Sequence, residues 1–385
     1  MKLLRKEQHM RKLLVVAVVV ALASWAFDAR AEEGSELEIS GNVTTLAGYQ
    51  RPSKNPTFGA ADGVLADGLR ATTGVVGTDQ FGFFVDQVEI DLAKSFGENI
   101  RIRADLDFSP HRAPAAGGVY VEQGYVTANI PAGNGIEFLL GRFNSGVGLD
   151  PIDRHDLSTV SFSSVHRTLL PHNITGMRLG YDFSEATRLE FYLVNDLQDA
   201  GPATATTSEI PSGGFNVSYA WGEEGNKSWI KLNGAAGPEG RTKKGISFLG
   251  DLSGHFVVSD AFSVGAEGIY RQDDTAGAGD DAQYIGGQLK GRYAFSDVWD
   301  GTLRYSFIWD LDSTDIATPQ PVANPLGIVG LGANGTMHSV TLATGYQITD
   351  GARLVVEGGV DLSRFSAGGG TGFTPGIAGM FAYSF

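Results

Sequence analysis

The chain has 385 residues, 53 of them glycine, no cysteine, and a formal net charge of −15. So acidic a chain is a poor partner for nucleic acid, and without cysteine an exported form has no disulfides to stabilise it. Dinucleotide, P-loop and zinc motifs are absent, so no cofactor is implied and no metal site is assigned.

The first 31 residues read as a secretory signal peptide. Lys2, Arg5, Lys6, Arg11 and Lys12 form a basic leader, the apolar run Leu13 to Ala23 follows, and Ala29-Arg30-Ala31 supplies a small-x-small cleavage site. The apolar run is shorter than the roughly 20 residues of a spanning helix. Met10 offers an equally good start. Cleavage after Ala31 removes six Lys/Arg and two Asp/Glu and leaves a single domain, 32–385, with net charge −19. No later window holds a transmembrane helix.

From residue 36 onward the dominant signal has period two. Ile100, Ile102, Ala104, Leu106 and Phe108 alternate with Arg101, Arg103, Asp105 and Asp107, which gives a strand with one apolar and one charged face. The same alternation predicts strands near 36–50, 82–96, 99–108, 120–130, 135–144, 174–183, 186–197, 213–223, 227–236, 245–257, 261–271, 283–295, 298–309, 336–348, 351–362 and 375–385. Short turns, such as Gly97-Glu98, Ser184-Glu185, Ser296-Asp297 and Thr349-Asp350, interleave strictly with long links at 51–81, 109–119, 145–173, 198–212, 237–244, 272–282, 310–335 and 363–374. A soluble Greek-key sandwich has no reason to sort its links this way. An all-β, up-and-down antiparallel transmembrane barrel of about 16 strands does, with short periplasmic turns and long external loops. Lipid requires such a sheet to close, because an open edge leaves backbone groups unpaired.

Strand parity then assigns a wall to the interior. Its cations are Arg101, Arg103, Arg178, Arg188, Lys231, Lys290, Arg292, Arg304 and Arg353. Its acids are Glu89, Asp91, Asp105, Asp107, Asp182, Glu190, Asp251, Glu267, Glu357 and Asp361. Sixteen strands enclose more than side chains fill, so these residues are expected to line a water-filled passage. The excess of negative charge is expected in loops and rims, for example at Asp273, Asp274, Asp280, Asp281, Asp310, Asp312 and Asp315. Gly250, Gly254, Gly287 and Gly291 fall on the lipid face, where neighbouring aromatics can lie across the backbone.

The link 145–173 carries Asp150, Asp153, Arg154, His155, Asp156 and Arg167, with a Ser-rich second half. Its length points to function. Three readings stand: a loop folded inward as a constriction, an external surface loop, or a metal site from Asp150, Asp153, His155 and Asp156, whose spacing is not that of an EF-hand.

The last strand alternates Ile377, Gly379, Phe381, Tyr383 and Phe385. It resembles the terminal strand by which the outer-membrane assembly machinery recognises its clients. Gly141-Arg142-Phe143, Gly148-Leu149-Asp150, Ser161 to Ser164, Pro171 to Gly176 and the early strand Phe84 to Leu92 resemble the OmpL-like β-barrel porin family. Asp150 stands where that family usually has Glu. The likeness covers the mature chain in outline and is specific over about residues 82–197. It implies an outer-membrane porin, set in a lipid bilayer, for passive diffusion of small hydrophilic solutes or ions, and it brings no catalytic residues. Porins of sixteen strands are commonly homotrimers, although no lipid-face patch here picks out an interface. The competing readings are a receptor or adhesin barrel with a blocked pore and an outer-membrane lipase. None of the seven histidines lies in a G-x-S-x-G context.

Overall fold

The computed structural model of the chain describes residues 36–51, 80–108, 119–197, 211–224, 226–238, 246–274, 281–312, 334–364 and 371–385. The predicted signal peptide 1–31 lies outside them, as does most of the links 51–81, 109–119, 198–212 and 310–335.

Sixteen strands follow in chain order: β1 Glu38–Gln50, β2 Gln80–Phe96, β3 Ile100–Asp107, β4 Tyr120–Ile130, β5 Ile136–Asn144, β6 Asn173–Asp182, β7 Thr187–Val194 and β8 Ser212–Glu223. Then come β9 Asn226–Gly237, β10 Ser247–Ser259, β11 Phe262–Asp274, β12 Asp281–Ala294, β13 Trp299–Asp312, β14 Thr336–Gln347, β15 Ala352–Arg364 and β16 Thr371–Ser384. Each pairs with its chain neighbours, and β1 closes the ring against β16. The closing seam is antiparallel, from Asn42↔Ser384 to Gln50↔Gly376, and Gly41 and Phe385 exchange backbone hydrogen bonds of 3.1 and 3.2 Å at its end. The strands coincide with the sixteen alternating segments of the sequence. One difference is β16, which begins before Pro375; that residue has no N–H to give, but its carbonyl accepts from the Arg51 amide at 3.0 Å.

The two faces of the wall are inverted relative to a water-soluble protein. Phe83 is 76% exposed and Leu342 64%, while Arg304 and Glu357 are 2% and 1% exposed. Charge is rarely buried and large apolar surface rarely displayed unless the outer medium is itself apolar. On β14 the outward Val340 and Leu342 alternate with the inward Ser339, Thr341 and Ala343. Outward glycines are covered by rings: Phe256 approaches the position of a Cβ on Gly254, Phe307 that on Gly287 and Phe262 that on Gly291. Replacing Leu342 by Arg should therefore cost about 2–4 kcal/mol of folding free energy in a bilayer if the site lies near mid-depth. Denaturant titration of the barrel refolded into lipid vesicles measures this, and a loss below about 0.5 kcal/mol would show that Leu342 does not face hydrocarbon.

The short turns have a shared chemistry. The Ser184 hydroxyl accepts from the Ala186 and Thr187 amides, Ser296 from Val298 and Trp299, and Ser259 from Phe262, at 3.2–3.4 Å. These are local side-chain turns, and they explain the recurring Ser-acid phrase. Gly97, at φ +60°, occupies the left-handed region in the β2–β3 turn.

Four register shifts interrupt the ladders. Two matter for the interior: between Thr44 and Thr45 in the β1–β2 pair, and between Asp105 and Leu106 in the β3–β4 pair. Each lets an additional residue of β2 or β4 escape strict alternation.

Candidate functional site

The inward faces of the strands bring the sequence-derived cations and acids into ion-paired groups. Arg101 meets Glu38 at 2.6 Å, and Arg103 meets Asp105 at 2.8 Å and Asp91 at 3.7 Å. Gln123 also donates to Asp105, and Asp107 is fully buried beside them on β3. On β6 and β7, Arg178 and Arg188 share Glu137, at 2.9 and 2.7 Å, and both reach Glu190. Arg188 also holds Asp182 at 2.9 Å. Lys231 lies 4.6 Å from the centre of the Trp229 ring. Arg292 and Arg353 converge on Asp300 at 3.0 and 2.6 Å, and the Arg292 side chain stays 48% exposed.

Residues 145–172 connect β5 to β6 and pass through this interior. Within them lie a 3-10 turn, Arg154–Asp156, and one short helix, α1, Ser164–Leu169, capped by the Ser163 hydroxyl on the His166 amide. The Gly148 and Leu149 amides reach Asp251 on β10 and Glu267 on β11, each at 3.3 Å. Asp150 pairs with Lys290 on β12 at 3.1 Å. Ser164 bonds Ser306 on β13 at 2.8 Å. The Val160 and Ser161 amides and the Ser161 hydroxyl all donate to Glu357 on β15, at 2.6–3.0 Å. Arg304 on β13 donates to Thr159, Ser161 and Phe162 of the segment and to Thr341 on β14. In a ring of sixteen strands, β13 stands eight strands from β5. The segment therefore spans the barrel interior from one side to the other.

Its apolar residues pack as well as bond. Val147, Val165, Leu169 and Leu170 form one buried cluster with inward Leu139, Tyr192, Leu249, Ile269, Tyr284 and Ile308. Val160 joins a second with Leu46, Val355 and Met380. Arg154 is buried, bonded to Asp86 at 2.6 Å and to the Val160 carbonyl at 2.5 Å, with its guanidinium 4.6 Å from the Phe162 ring centre. Asp153 accepts from Gln87 on β2 at 3.1 Å. Arg167 lies near enough to Asp361 to act on its charge. Asp156 is exposed and faces His155 at 3.4 Å. A polar hollow separates His155, Asp156 and Ser158 from Arg292, Gln347 and Arg353, reaching the turn at Asp350 and Gly351.

Asp150 shows how the docking is held. Burial alone would raise its carboxyl, but Lys290, Arg304, His166 and the Ser163 amide outweigh that and hold it well below the usual carboxylate range. A group depressed in the folded state stabilises fully above its unfolded value, about 4, and that stabilisation is lost as pH falls further. The Asp150 share of segment docking is thus expected to be constant from neutrality down to about pH 4 and to fade below it. Protease protection of the segment, compared at several pH values in wild type and Asp150→Asn, reads this out. Equal acid sensitivity in both proteins would assign the effect to other groups.

The four residues weighed as a metal site do not converge. Asp150 goes to Lys290 and Ser163, Asp156 to His155, and Asp153 to Gln87. Two acids read from the sequence as rim charges are also placed otherwise. Asp310 is fully buried, and Asp273 is bound by Arg271 at 2.9 Å. The reason is that β11 and β13 run further than their apolar alternation, carrying these acids inward. Asp280 and Asp315 lie outside the described residues, and the side chains of Asp274, Asp281 and Asp312 lie outside them too. The sequence reading missed Asp86 and Glu122, which the two register shifts turn inward. It also missed Arg142, Glu137, Arg271 and Asp300. Parity pointed to the last three. For the first two the available signal was a pair of adjacent polar residues, Asp86-Gln87 and Glu122-Gln123, within otherwise alternating strands.

Residues 36–379 match the family model described as putative beta-barrel porin-2, OmpL-like. No curated protein matches the chain. Among solved structures, the chain is similar to the outer membrane channel DcaP of Acinetobacter baumannii. That match has a TM-score of 0.65 at 16% identity and covers 92% of this chain and 99% of the other. It is also similar to OmpT of Vibrio cholerae in its in-vitro folded trimer form, with a TM-score of 0.56, 10% identity, and 92% and 100% coverage. The loop L8 deletion mutant of that protein gives a TM-score of 0.54 at 10% identity, covering 91% and 100%. At these identities the structural likenesses speak for the fold.

Proposed function

Because the chain belongs to the OmpL-like β-barrel porin family on a match across residues 36–379, we propose that it is an outer-membrane diffusion channel whose bore is narrowed by residues 145–172. Small hydrophilic solutes and ions pass through the water that remains between this segment and the ion-paired wall. The observation that carries the reading is the spanning segment itself, tied to the far wall through Arg304 and Glu357. A large barrel with a charged interior conducts, and a segment fixed across it sets the size limit. Nothing in this function calls for chemistry on the solute, and His166, stacked between Phe162 and His172, serves in packing.

The rest of the proposal concerns placement. Residues 1–31 direct export, the short turns face the periplasm and the long links face outward. The strand ending in Phe385 is the signal for the assembly machinery, and three copies associate in the membrane, as OmpT of Vibrio cholerae does in its trimer form.

Swelling of liposomes containing the refolded barrel, in isotonic sugars of increasing size, tests the function. Uptake that falls steeply with solute size supports a narrowed pore. No swelling with any sugar would favour the alternative of a receptor barrel sealed by its own segment. Charge reversal at the most accessible wall cation offers a finer check. Arg292→Glu places a third carboxylate beside Asp300 and Asp297, so the zero-current potential in a salt gradient should shift toward cation preference. An unchanged potential would remove Arg292 from the conducting path.

A further inference from the structure

The crossing segment leaves space against the turn-side end of β12–β16. A hollow of about 250 Å³ lies there, lined by His155 and Asp156 of the segment and by Arg292, Gln347, Asp350 and Arg353 of the wall. A second, of about 360 Å³, adjoins it, since Arg292, Gln347 and Arg353 line both. The two arginines come from β12 and β15 and meet on Asp300 of β13, at 3.0 and 2.6 Å. Arg353 gets there by crossing β14 at Gly345, which stands opposite Asp300 and where a Cβ would overlap the guanidinium.

The charges around this space do not cancel group by group. Asp300 is 3% exposed, and its one carboxylate is set against two guanidiniums. The pair therefore presents a net positive charge to the hollow. Arg292 gives Asp300 a single nitrogen and keeps half of its side chain exposed. A guanidinium carries five N–H groups in a planar fork that matches a carboxylate, so donors remain for a ligand. Across the hollow stands Asp156, whose side chain is 60% exposed and touches His155 at 3.4 Å. Asp350 lies at the rim, in the β14–β15 turn. A bare anion gains from the arginines and loses to these acids, and a bare cation does the reverse. A small solute that carries both charges meets an opposite charge on each side.

We propose that this hollow is a selectivity site for small zwitterions of the α-amino acid type, with the carboxylate on Arg292 and Arg353 and the ammonium on Asp156. This adds a solute class to the diffusion-channel reading, on which it rests. A volume of about 250 Å³ falls just below the roughly 300 Å³ at which cavities for drug-sized ligands begin, which suits a solute the size of an amino acid. Polar walls that bind weakly let a solute enter and leave, as conduction requires. Asp156 belongs to the crossing segment and the arginines to the wall, so the segment supplies one half of the selectivity.

Saturation-transfer NMR on the refolded full-length barrel in detergent measures such weak binding whether or not the barrel conducts. Four probes of nearly one size separate the classes: the zwitterion alanine, the anion lactate, the cation alaninol and the neutral lactamide. Alanine is expected to saturate at a concentration roughly fivefold or more below the other three. Arg292→Gln should weaken alanine and strengthen alaninol, and Asp156→Asn should weaken alanine and strengthen lactate. Asp156 lies outside the strands, and Asp300 keeps Arg353 when Arg292 is replaced, so both variants should fold. Alanine binding no tighter than lactamide would overturn the site. Lactate binding tighter than alanine would overturn it in favour of an anion site, and alanine binding unchanged in both variants would place the solute elsewhere. Alanine should also reduce the salt current through a planar bilayer saturably. A barrel that binds alanine with this pattern yet carries no current would remove the channel reading and leave the zwitterion site standing.

Discussion

Excising residues 146–171 and joining β5 to β6 through a short Gly-Ser link is expected to raise single-channel conductance by roughly twofold or more. The wall should survive the change. No strand pairing involves the segment, and β5 and β6 remain neighbours from Ile136↔Tyr181 to Asn144↔Asn173. What disappears is the crossing itself, together with the side chains of Val147, Val165, Leu169 and Leu170 that occupy one part of the interior. The wall groups released, among them Arg304, Glu357, Asp251 and Glu267, are polar and hydrate readily once water replaces the segment. A folded deletion barrel with wild-type conductance would show that the segment does not narrow the path.

Arg304→Ala should loosen the crossing without removing it. The guanidinium is buried and makes five hydrogen bonds, four of them to the segment. Its loss takes one donor each from the Ser161 and Phe162 carbonyls and frees the Thr159 and Ser161 hydroxyls it holds in place. Breaking one partner of a buried charged network typically costs about 3–5 kcal/mol, felt here as weaker docking. Current flicker should increase, the segment should become open to protease, and thermal conversion of the folded band should come earlier. Arg304→Lys keeps the charge but not the planar fork, so partial recovery is expected. Quiet currents and unchanged protease protection in Arg304→Ala would mean that docking rests on apolar packing alone.

The barrel was legible in the sequence because lipid outside and water inside impose strict alternation on every strand, and closure imposes an ordered meander. Ile100 to Phe108 displays that constraint residue by residue. The interior was legible where parity held, as at Arg304, Lys290 and Glu357. It failed where a register shift added a residue: Asp86 and Glu122 turn inward only because β2 and β4 bulge against their neighbours. The partners of each wall charge were not legible at all. That Arg304 would hold Ser161, or Lys290 hold Asp150, depends on how residues 145–172 coil through space, and a segment without period-two or helical repeat carries no pattern from which to read it. Its Ser-rich half makes sense in retrospect, since Ser161, Ser163 and Ser164 all serve as short-range bonding groups in a crowded interior.

The most direct test of the account is the conductance of the wild-type barrel, refolded in detergent and inserted into a planar bilayer at defined salt. Discrete, stable, ohmic steps are predicted, with a zero-current potential in a salt gradient that responds to Arg292→Glu. A barrel that inserts, shows heat-modifiable migration and β-rich circular dichroism, and yet passes no current would contradict a water-filled passage between the wall and its crossing segment.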